Sequence, residues 1–319
     1  MKKKKILIIT PVKHIQNFIK TLKIHFNIKI FENPTREELD KIIHNFEIIF
    51  TNPNMSMVRI DENLIKKGNR LKAICTASTG TNHIDLEYAH KKKIKVISLR
   101  KQTHIINKIS STAEHALALM MTSIRNIPQS IKSVKNDKWD YRPFIGRQVN
   151  QLKVGVVGYG RLGRIFTNLV SPLAKDVLIY EKNKKVSLNT KKKFVSLDYL
   201  IKNSDIISLH IHADKSNLNF INKTKLDKMK KNVLLVNTSR GEIINENHLV
   251  NFLKKNNETC YATDVISSEI EKKFNSPIMK EFKKNSRIII TPHIGGMTKE
   301  AQEIAYNSVV KILIKKLNQ

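Results

Sequence analysis

Residues 154–164 read VGVVGYGRLGR, an apolar run that leads directly into three glycines spaced as Gly-x-Gly-x-x-Gly. Gly158 permits a tight turn after the predicted strand, Gly160 lets a pyrophosphate approach the backbone, and Gly163 lets the following helix pack closely on the strand. The pattern alone is weak, but the strand before it and the helix after it are the context that a dinucleotide-binding turn requires. The alternative is a structural strand–turn–helix with incidental glycines.

The next predicted strand, residues 176–181, supplies a candidate for nucleotide recognition. It ends in Tyr180 and Glu181, and Glu181 lies 18 residues after Gly163. This is near the spacing of the acid that binds the adenosine ribose hydroxyls in dinucleotide-binding folds. A carboxylate there repels a 2′-phosphate, so the sequence favours NAD over NADP. Lys182 beside it weakens that inference.

The length and composition predict a globular protein of about two domains. The chain has 319 residues, of which 40% are hydrophobic, and this is enough to bury large cores. The apolar stretch at residues 6–9 is too short for a signal peptide, and no apolar window is long enough to span a bilayer. The two cysteines are far apart and form neither a disulfide framework nor a zinc pattern. We therefore expect a soluble cytoplasmic protein with no bound metal.

The net charge of +31 is the most unusual global property of the chain. Such a charge attracts nucleic acid and acidic membranes. However, the lysines are scattered, and they are not interleaved with arginines and aromatic residues as a base-stacking surface would need. A general bias toward Lys, Asn and Ile accounts for most of the charge, and anionic substrates remain open. We expect no specific nucleic acid and no membrane as partners.

Short apolar strands alternate with helical stretches and predict two tandem α/β units with parallel sheets. Near-continuous apolar strands are typical of sheets covered on both faces, and the candidates are residues 6–10, 28–32, 47–52, 71–78 and 95–99, followed by 153–158, 176–181, 205–211, 233–239, 260–265 and 287–293. Helical periodicity predicts a long helix over residues 111–127 and a final helix over 298–317. Residues 136–151 are predicted to form a surface loop or a connection between domains.

Three consecutive predicted strands end in side chains suited to proton transfer and anion binding. Arg240 follows the first, Asp264 and Glu269 follow the second, and His293 follows the third. The carboxyl ends of parallel strands share one edge, where open α/β sheets bind ligands. A lone histidine after an apolar run is more often a core residue, but this constellation favours a functional role. Two interpretations without a catalytic role stay open: Arg240 could form a structural ion pair, and Glu269 could be a solvated loop acid.

Six motifs follow one another along most of the chain: ASTGTNHIDLEYA at 77–89, STAEHALALMM at 111–121, GVVGYGRLGR at 155–164, KMKKNVLLVNTSRGEIINE at 228–246, ATDV at 262–265 and TPHIGG at 291–296. Together they resemble the D-isomer-specific 2-hydroxyacid dehydrogenase family, which includes phosphoglycerate, glycerate and D-lactate dehydrogenases. The resemblance implies two Rossmann-like doubly wound α/β domains. An NAD-binding domain at 106–294 would be inserted into a split flavodoxin-like substrate domain at 1–105 and 295–319. It also implies a homodimer joined through the cofactor domain.

The resemblance implies catalytic roles for Arg240, Glu269 and His293. A guanidinium can hold the carboxylate and carbonyl oxygens of a 2-keto acid. His293, as an imidazolium, would donate a proton to the carbonyl oxygen, and Glu269 would orient the ring and favour its charged form. The implied substrate-binding residues are Ser78, Thr79, Gly80 and Arg240. The implied cofactor-binding residues are Gly158, Gly160, Arg161, Leu162, Gly163, Glu181, His210, Thr238, Ser239, Asp264 (near the nicotinamide carboxamide), Gly295 and Gly296.

Three departures from the family's pattern leave parts of the site open. His212 stands where the family usually has a proline, and Ile270 replaces the proline that often follows the catalytic glutamate. Residues 100–110, RKQTHIINKIS, do not match the Pro-Gly stretch that many members have before the first long helix. That segment lies where substrate side chains are read. Its basic residues could meet a phosphate or a second carboxylate, or form a solvated loop: Arg100, Lys101 and Lys108.

The function predicted from these features is NAD-dependent hydride transfer between nicotinamide and C2 of a D-2-hydroxy acid or 2-keto acid, with phosphorylated substrates as one option. The alternative is a non-catalytic, NAD(H)-responsive binding protein of the corepressor type, which some relatives are. The intact trio of Arg240, Glu269 and His293 argues for the enzyme. The sequence names neither the substrate nor the physiological direction.

Overall fold

The chain folds into two compact units. The structure is a computed structural model that describes residues 3–52, 58–186, 192–214, 216–267, 269 and 273–317. The first unit combines Met1–Ile109 with Gly296–Gln319, and the second is Ser110–Gly295. Each unit is built around its own parallel sheet, as the alternation of strands and helices predicts.

In its described part, the first unit has a five-stranded sheet in the order β2-β1-β3-β4-β5. Its strands are β1 (Lys5–Ile8), β2 (Asn27–Ile30), β3 (Ile48–Thr51), β4 (Ala73–Thr76) and β5 (Lys95–Ile97). This is the flavodoxin-like strand order that the family resemblance implies. The helices are α1 (Gln16–His25), α2 (Arg36–Ile42), α3 (Glu62–Lys67), α4 (Leu86–Lys91), α5 (Thr103–Ile106) and, from the C-terminal segment, α13 (Lys299–Leu317), with a 3-10 turn at Ile43–Asn45.

Burial on both faces explains the continuous apolar strands of the first unit. Successive side chains of a strand point to opposite faces, so Ile6 packs into one core cluster and Leu7 into the other. In the first cluster the rings of Phe18, Phe50 and Tyr306 lie with centroids 5.1 to 5.5 Å apart. Tyr306 belongs to α13, so the final helix completes the core of the first unit.

Among the residues that the structure describes, the second unit has a six-stranded sheet in the order β11-β10-β9-β8-β6-β7. Its strands are β6 (Lys153–Val157), β7 (Asp176–Tyr180), β8 (Ile206–Leu209), β9 (Leu234–Asn237), β10 (Cys260–Thr263) and β11 (Ile288–Ile290). Its helices are α6 (Ser111–Ile124), α7 (Ile127–Val134), α8 (Arg161–Val170), α9 (Leu197–Asn203), α10 (Lys223–Leu226), α11 (Glu246–Lys255) and α12 (Pro277–Phe282), with 3-10 turns at Arg142–Phe144, Val149–Gln151, Lys184–Val186, Gly241–Ile243 and Lys273–Asn275.

The helix predicted over residues 111–127 is wrong in its extent. It ends at Ile124, and Asn126 takes a left-handed φ of 52° before a new helix begins. Pro128 stands in the first turn of that helix, where its missing N–H is tolerated. In the described part of the chain, none of the helices has the length and apolar character needed to cross a membrane.

Candidate active site

The second unit gathers polar residues at one edge of its sheet. Its strands are parallel, so the residue that follows each strand emerges at the carboxyl edge, where ligands bind in open α/β sheets. Across the sheet these residues are His293, Asp264, Arg240, His210, Gly158 and Glu181. The structure therefore brings together side chains that the sequence places in separate motifs.

The glycine-rich turn has the shape that the spacing predicts. Gly158 has a φ of 94°, in the left-handed region that favours glycine. A Cβ placed on Gly163 would lie 1.9 Å from the carbonyl oxygen of Gly158, so the helix can pack on this turn only without a side chain. A Cβ on Gly160 would meet no atom within 4 Å. Space is therefore open beside Gly160, and Arg161 and Leu162 begin α8.

Glu181 is tied to the same turn. Its Oε2 accepts a hydrogen bond of 2.8 Å from the Tyr159 N–H, and its Oε1 accepts one of 3.0 Å from the Asn183 N–H. These bonds hold the carboxylate at the end of β7, beside the glycine-rich turn. This is the position at which an acid meets the ribose of a bound dinucleotide.

Three further residues lie between the turn and Arg240. The His210 ring packs against Phe166 with centroids 4.8 Å apart, and burial lowers the pKa of His210 to about 3, so its imidazole is neutral at neutral pH. Ser239 donates to the last carbonyl of β8. Thr238 is buried, and its hydroxyl has no hydrogen-bond partner among the described residues. A bound ligand would satisfy such a group, so this edge fits a dinucleotide.

His293 and Glu269 form a close pair. His293 Nδ1 lies 2.8 Å from Glu269 Oε1, and the two side chains are 16% and 28% exposed. An ionised carboxylate can only accept a hydrogen bond, so Nδ1 carries a proton and donates it. The carboxylate thereby sets the orientation of the ring and leaves Nε2 as the other ring nitrogen.

The loop that carries His293 is wound around the Asp264 carboxylate. Oδ1 of Asp264 accepts the Ile294 N–H at 2.9 Å and a hydrogen bond from the Thr291 hydroxyl, and Oδ2 accepts the Gly295 N–H at 2.7 Å. Burial would raise the pKa of Asp264, but these donors and His115 outweigh it and lower the pKa. The carboxylate therefore stays ionised at neutral pH. The resemblance assigns Asp264 to the nicotinamide, which stays a prediction, and in the structure its carboxylate contacts the loop and His115.

Arg240 is partly buried, three residues after the end of β9. Its Nη1 donates to the Ser239 carbonyl at 2.6 Å, and its own carbonyl accepts from Asn237 Nδ2 at 2.9 Å. Burial lowers the pKa of the Arg240 guanidinium, and the Glu269 and Glu242 carboxylates oppose that shift. The group is still a cation at neutral pH because guanidinium pKa values are very high. A partly buried cation of this kind has an electrostatic preference for an anionic ligand.

Gly241, the next residue, links Arg240 to the loop that carries Glu269. A Cβ on Gly241 would lie 1.9 Å from the carbonyl carbon of Ile266. The same loop is held by Glu246, whose buried carboxylate accepts the Ser267 N–H at 2.8 Å and the Ile278 N–H at 3.3 Å. Sequence reasoning missed Glu246. A buried acid in the first turn of an otherwise ordinary helix carries no signal that separates it from a favourable helix-dipole residue.

The other predicted residues lie in the first unit. Ser78, Thr79 and Gly80 follow β4, and the Gly80 N–H donates to Ser78 Oγ at 3.0 Å. Gly296 begins the C-terminal segment of this unit, and a Cβ there would meet no atom within 4 Å. The basic residues of the 100–110 segment are exposed on and around α5: Arg100, Lys101 and Lys108.

The other two departures from the family pattern are His212 and Ile270. The carbonyl of His212 accepts a hydrogen bond of 3.0 Å from Asn217 Nδ2, so the position without proline forms a turn of its own. Ile270 lies outside the described residues. Within the described ranges, no cluster of three or more His, Cys, Asp or Glu residues could hold a metal ion.

Comparisons with known proteins agree with this geometry. The family model for the D-isomer specific 2-hydroxyacid dehydrogenase, NAD binding domain, matches residues 117–295. A D-3-phosphoglycerate dehydrogenase of Archaeoglobus fulgidus is 32% identical over 277 residues, which are 86% of this chain and 50% of that protein. A hydroxypyruvate reductase of Thermotoga maritima is 29% identical over 286 residues, covering 90% of each chain. The chain spans 43% to 57% of the length of the phosphoglycerate dehydrogenases that it matches.

The fold is shared with solved structures. The crystal structure of D-lactate dehydrogenase from Aquifex aeolicus complexed with NAD and lactic acid aligns with a TM-score of 0.82 at 27% identity, over 98% of this chain and 95% of that one. A glyoxylate reductase from Paecilomyes thermophila aligns with a TM-score of 0.81 at 26% identity, over 98% and 95% of the two chains.

Proposed function

The chain belongs to the D-isomer specific 2-hydroxyacid dehydrogenase family, and from this premise we propose that it reduces a 2-keto acid, or oxidises the corresponding D-2-hydroxy acid, with a nicotinamide cofactor. One observation carries the proposal: the hydrogen bond between His293 and Glu269, on the sheet edge that also holds Arg240 and the glycine-rich turn. A histidine oriented by a carboxylate is the arrangement that proton transfer needs. A structural core histidine would not require it.

Each side chain then has a chemical role. A bound nicotinamide supplies or accepts the hydride at C2 of the substrate. The Arg240 guanidinium binds the carboxylate and carbonyl oxygens of the keto acid. His293 donates a proton to the oxygen that becomes a hydroxyl, and Glu269 keeps the ring oriented and charged until then. In the oxidation direction His293 accepts the same proton.

We propose the following assignments for the rest of the chain. Residues 106–294 form the cofactor domain, and residues 1–105 with 295–319 form the substrate domain. The backbone amides near Ser78, Thr79 and Gly80 bind the substrate carboxylate. The turn at Gly158, Gly160 and Gly163, with the residues that follow β7, β8, β9, β10 and β11, binds the dinucleotide: Arg161, Leu162, Glu181, His210, Thr238, Ser239, Asp264, Gly295 and Gly296.

The experiment that tests the function is NADH oxidation, followed by absorbance, against a panel of 2-keto acids with and without a phosphate group. Turnover on at least one of them supports the proposal and identifies the substrate class. The relatives named above include a phosphoglycerate dehydrogenase and a hydroxypyruvate reductase, so the panel includes phosphohydroxypyruvate and hydroxypyruvate. Tight NADH binding without turnover on any member would favour the non-catalytic alternative.

We propose NAD rather than NADP as the cofactor because of Glu181. Replacing Glu181 with alanine should lower the KM for NADPH roughly tenfold, since removing about 1.4 kcal/mol of repulsion between carboxylate and 2′-phosphate changes a binding constant by that factor. The KM for NADH should rise because the ribose loses a hydrogen-bond acceptor. The measurement is the ratio of the two KM values in the wild type and the variant.

A matched control for that variant is Glu258→Ala, because Glu258 is an exposed acid of the same unit. It removes the same charge from the protein, so any long-range effect of net charge on NADPH binding appears in both variants. An unchanged preference in Glu181→Ala would remove the reason for choosing NAD.

We also propose that the protein is a homodimer joined through the segment that follows α6. Ile127, Ile131 and Val134 lie on one face of α7 and are about half exposed, and Trp139 and Ile145 after it are 91% and 75% exposed. Soluble monomers rarely expose a contiguous apolar patch of this kind. A second copy of the chain would cover it.

Replacing both Trp139 and Ile145 with serine should convert the dimer to a monomer, because exposed aromatic anchors contribute much of the binding energy of an interface. Size-exclusion chromatography with light scattering should then give a mass near that of one chain, 36.8 kDa. The control is Ile24→Ser, at a residue 66% exposed in α1 of the first unit, which should leave the mass at that of a dimer. A wild-type protein that runs as a monomer would contradict the proposal.

A further inference from the structure

We propose that His115 is a positioning residue that fixes the backbone carrying His293, and that it acts through Asp264 and Thr291. The sequence motifs assign no role to His115, which lies on the apolar helix α6. The inference rests on the proposed role of His293 in proton transfer. Its structural part concerns only how the loop is held, and it can be measured separately.

The His115 imidazole contacts both Thr291 and Asp264. Its Nε2 lies 2.9 Å from Thr291 Oγ1 and 3.3 Å from Asp264 Oδ1. The His115 side chain is 17% exposed and the Asp264 side chain 2% exposed, so these contacts are shielded from water. Hydrogen bonds in such surroundings are stronger than on the surface.

The hydrogen bonds among His115, Thr291 and Asp264 run in one direction. The Thr291 hydroxyl has one proton, and it donates that proton to Asp264 Oδ1. A hydroxyl that has used its proton can only accept from a further neighbour. Nε2 of His115 therefore carries a proton and donates it, which makes His115 the end of a chain that runs from the imidazole through Thr291 to the carboxylate.

The Asp264 carboxylate connects this series of hydrogen bonds to His293. The Asp264 carboxylate accepts the amides of Ile294 and Gly295, which directly follow His293 in sequence. The His293 N–H donates to the Thr291 carbonyl at 2.9 Å, so the loop is held on both sides of the histidine. His293 has a φ of 56°, a left-handed conformation that persists only where the surroundings impose it.

A second contact joins the loop to the same helix. A Cβ placed on Gly295 would lie 3.0 Å from Asp264 Oδ2 and 3.4 Å from Thr112 Cγ2, so the loop already touches the first turn of α6. His115 follows Thr112 by three positions and lies on the same side of the helix. One helix thus supports the histidine loop at two points, once by packing and once by hydrogen bonding.

The test uses two substitutions at His115. Glutamine keeps a side-chain N–H donor at a similar distance from the helix, whereas leucine keeps the bulk and loses the donor. His115→Leu should reduce kcat for keto-acid reduction by about 10- to 100-fold, because a misplacement of about 1 Å has effects of that size. His115→Gln should restore kcat to within about threefold of the wild type. The KM for NADH should rise by a smaller factor than kcat falls in His115→Leu, because the glycine-rich turn is untouched and only the loop at Gly295 is loosened.

The control is His25→Leu, the same change at an exposed histidine of α1 in the first unit, which should leave kcat unchanged. The melting temperature of each variant shows whether a loss comes from unfolding. Three results would overturn the proposal: wild-type kcat in His115→Leu, equal losses in the glutamine and leucine variants, or a loss confined to the KM for NADH.

Amide hydrogen exchange at Gly295 needs no enzymatic turnover, so it tests the role of His115 separately from the proposed function. The chain has 10 glycines, so a spectrum of glycine-labelled protein is simple to assign. Amide exchange at Gly295 should be slow in the wild type, faster in His115→Leu and slow again in His115→Gln, with Gly155 inside β6 as the reference for global opening. If the wild type shows no turnover, the proposed function fails, and exchange at Gly295 alone decides whether His115 holds the loop.

Discussion

Replacing His293 with alanine should lower kcat for keto-acid reduction by about a hundredfold to ten-thousandfold, the usual contribution of a positioned general acid. The imidazole is held at 2.8 Å from Glu269, so its loss removes both the proton donor and the group that the carboxylate orients. The KM for NADH should change little, because the residues proposed to bind the dinucleotide are intact. The measurement is the steady-state rate with the best substrate of the keto-acid panel.

Two further variants help to interpret that result. Glu269→Gln keeps a hydrogen-bond acceptor for His293 but removes the negative charge beside the ring, so its kcat should lie between those of the wild type and His293→Ala. His44→Ala, at an exposed histidine of the first unit, should behave as the wild type. Full keto-acid reduction by His293→Ala would show that another group donates the proton.

Replacing Arg240 should cause the second large loss of activity. Arg240→Ala should lower kcat/KM for the keto acid by about a hundredfold to a thousandfold, in line with the roughly 2 to 5 kcal/mol lost when one partner of a buried charge pair is truncated. Both kcat and KM should suffer, because the guanidinium binds the substrate in its ground state and holds the carbonyl during the reaction. Steady-state kinetics over a wide range of keto-acid concentration separates the two effects.

Arg240→Lys is the sharper variant. It keeps the cation, so the Glu269 and Glu242 carboxylates that face Arg240 are not left with an uncompensated charge. It loses the planar fork that binds two oxygens at once. We expect it to recover folding stability but little activity. Arg70→Ala, at an exposed arginine of the first unit, is the control, and an active Arg240→Ala protein would support the structural ion-pair interpretation.

The parts of the molecule that the sequence predicts well are those governed by local pattern. Strands buried on both faces must be apolar throughout, so runs such as the one before Gly158 mark the sheet to within a few residues. Parallel pairing then places the ends of β9, β10 and β11 at one edge. That is why the positions of Arg240, Asp264 and His293 on a common edge follow from spacing alone.

The parts that the sequence misses depend on contacts between distant residues. The break at Asn126 is a single left-handed residue inside a continuous helical pattern, and periodicity does not register it. Glu246 and His115 are ordinary helix residues until the fold places them against loops 21 and 176 positions away. The motif around Asp264 predicts a role at the nicotinamide, and no pattern indicates that its carboxylate also binds the amides after His293.

The distribution of the cysteines has a practical consequence. The chain has two, and both are free thiols: Cys75 in β4 of the first unit and Cys260 in β10 of the second. Burial raises the pKa of both thiols, so little thiolate is present in the native state. Cys75 is fully buried and Cys260 is partly buried, so labelling of Cys75 must wait for the surrounding strands of the first unit to open. Labelling of the unaltered protein followed by mass spectrometry therefore yields the local opening rate at Cys75 without any engineered probe.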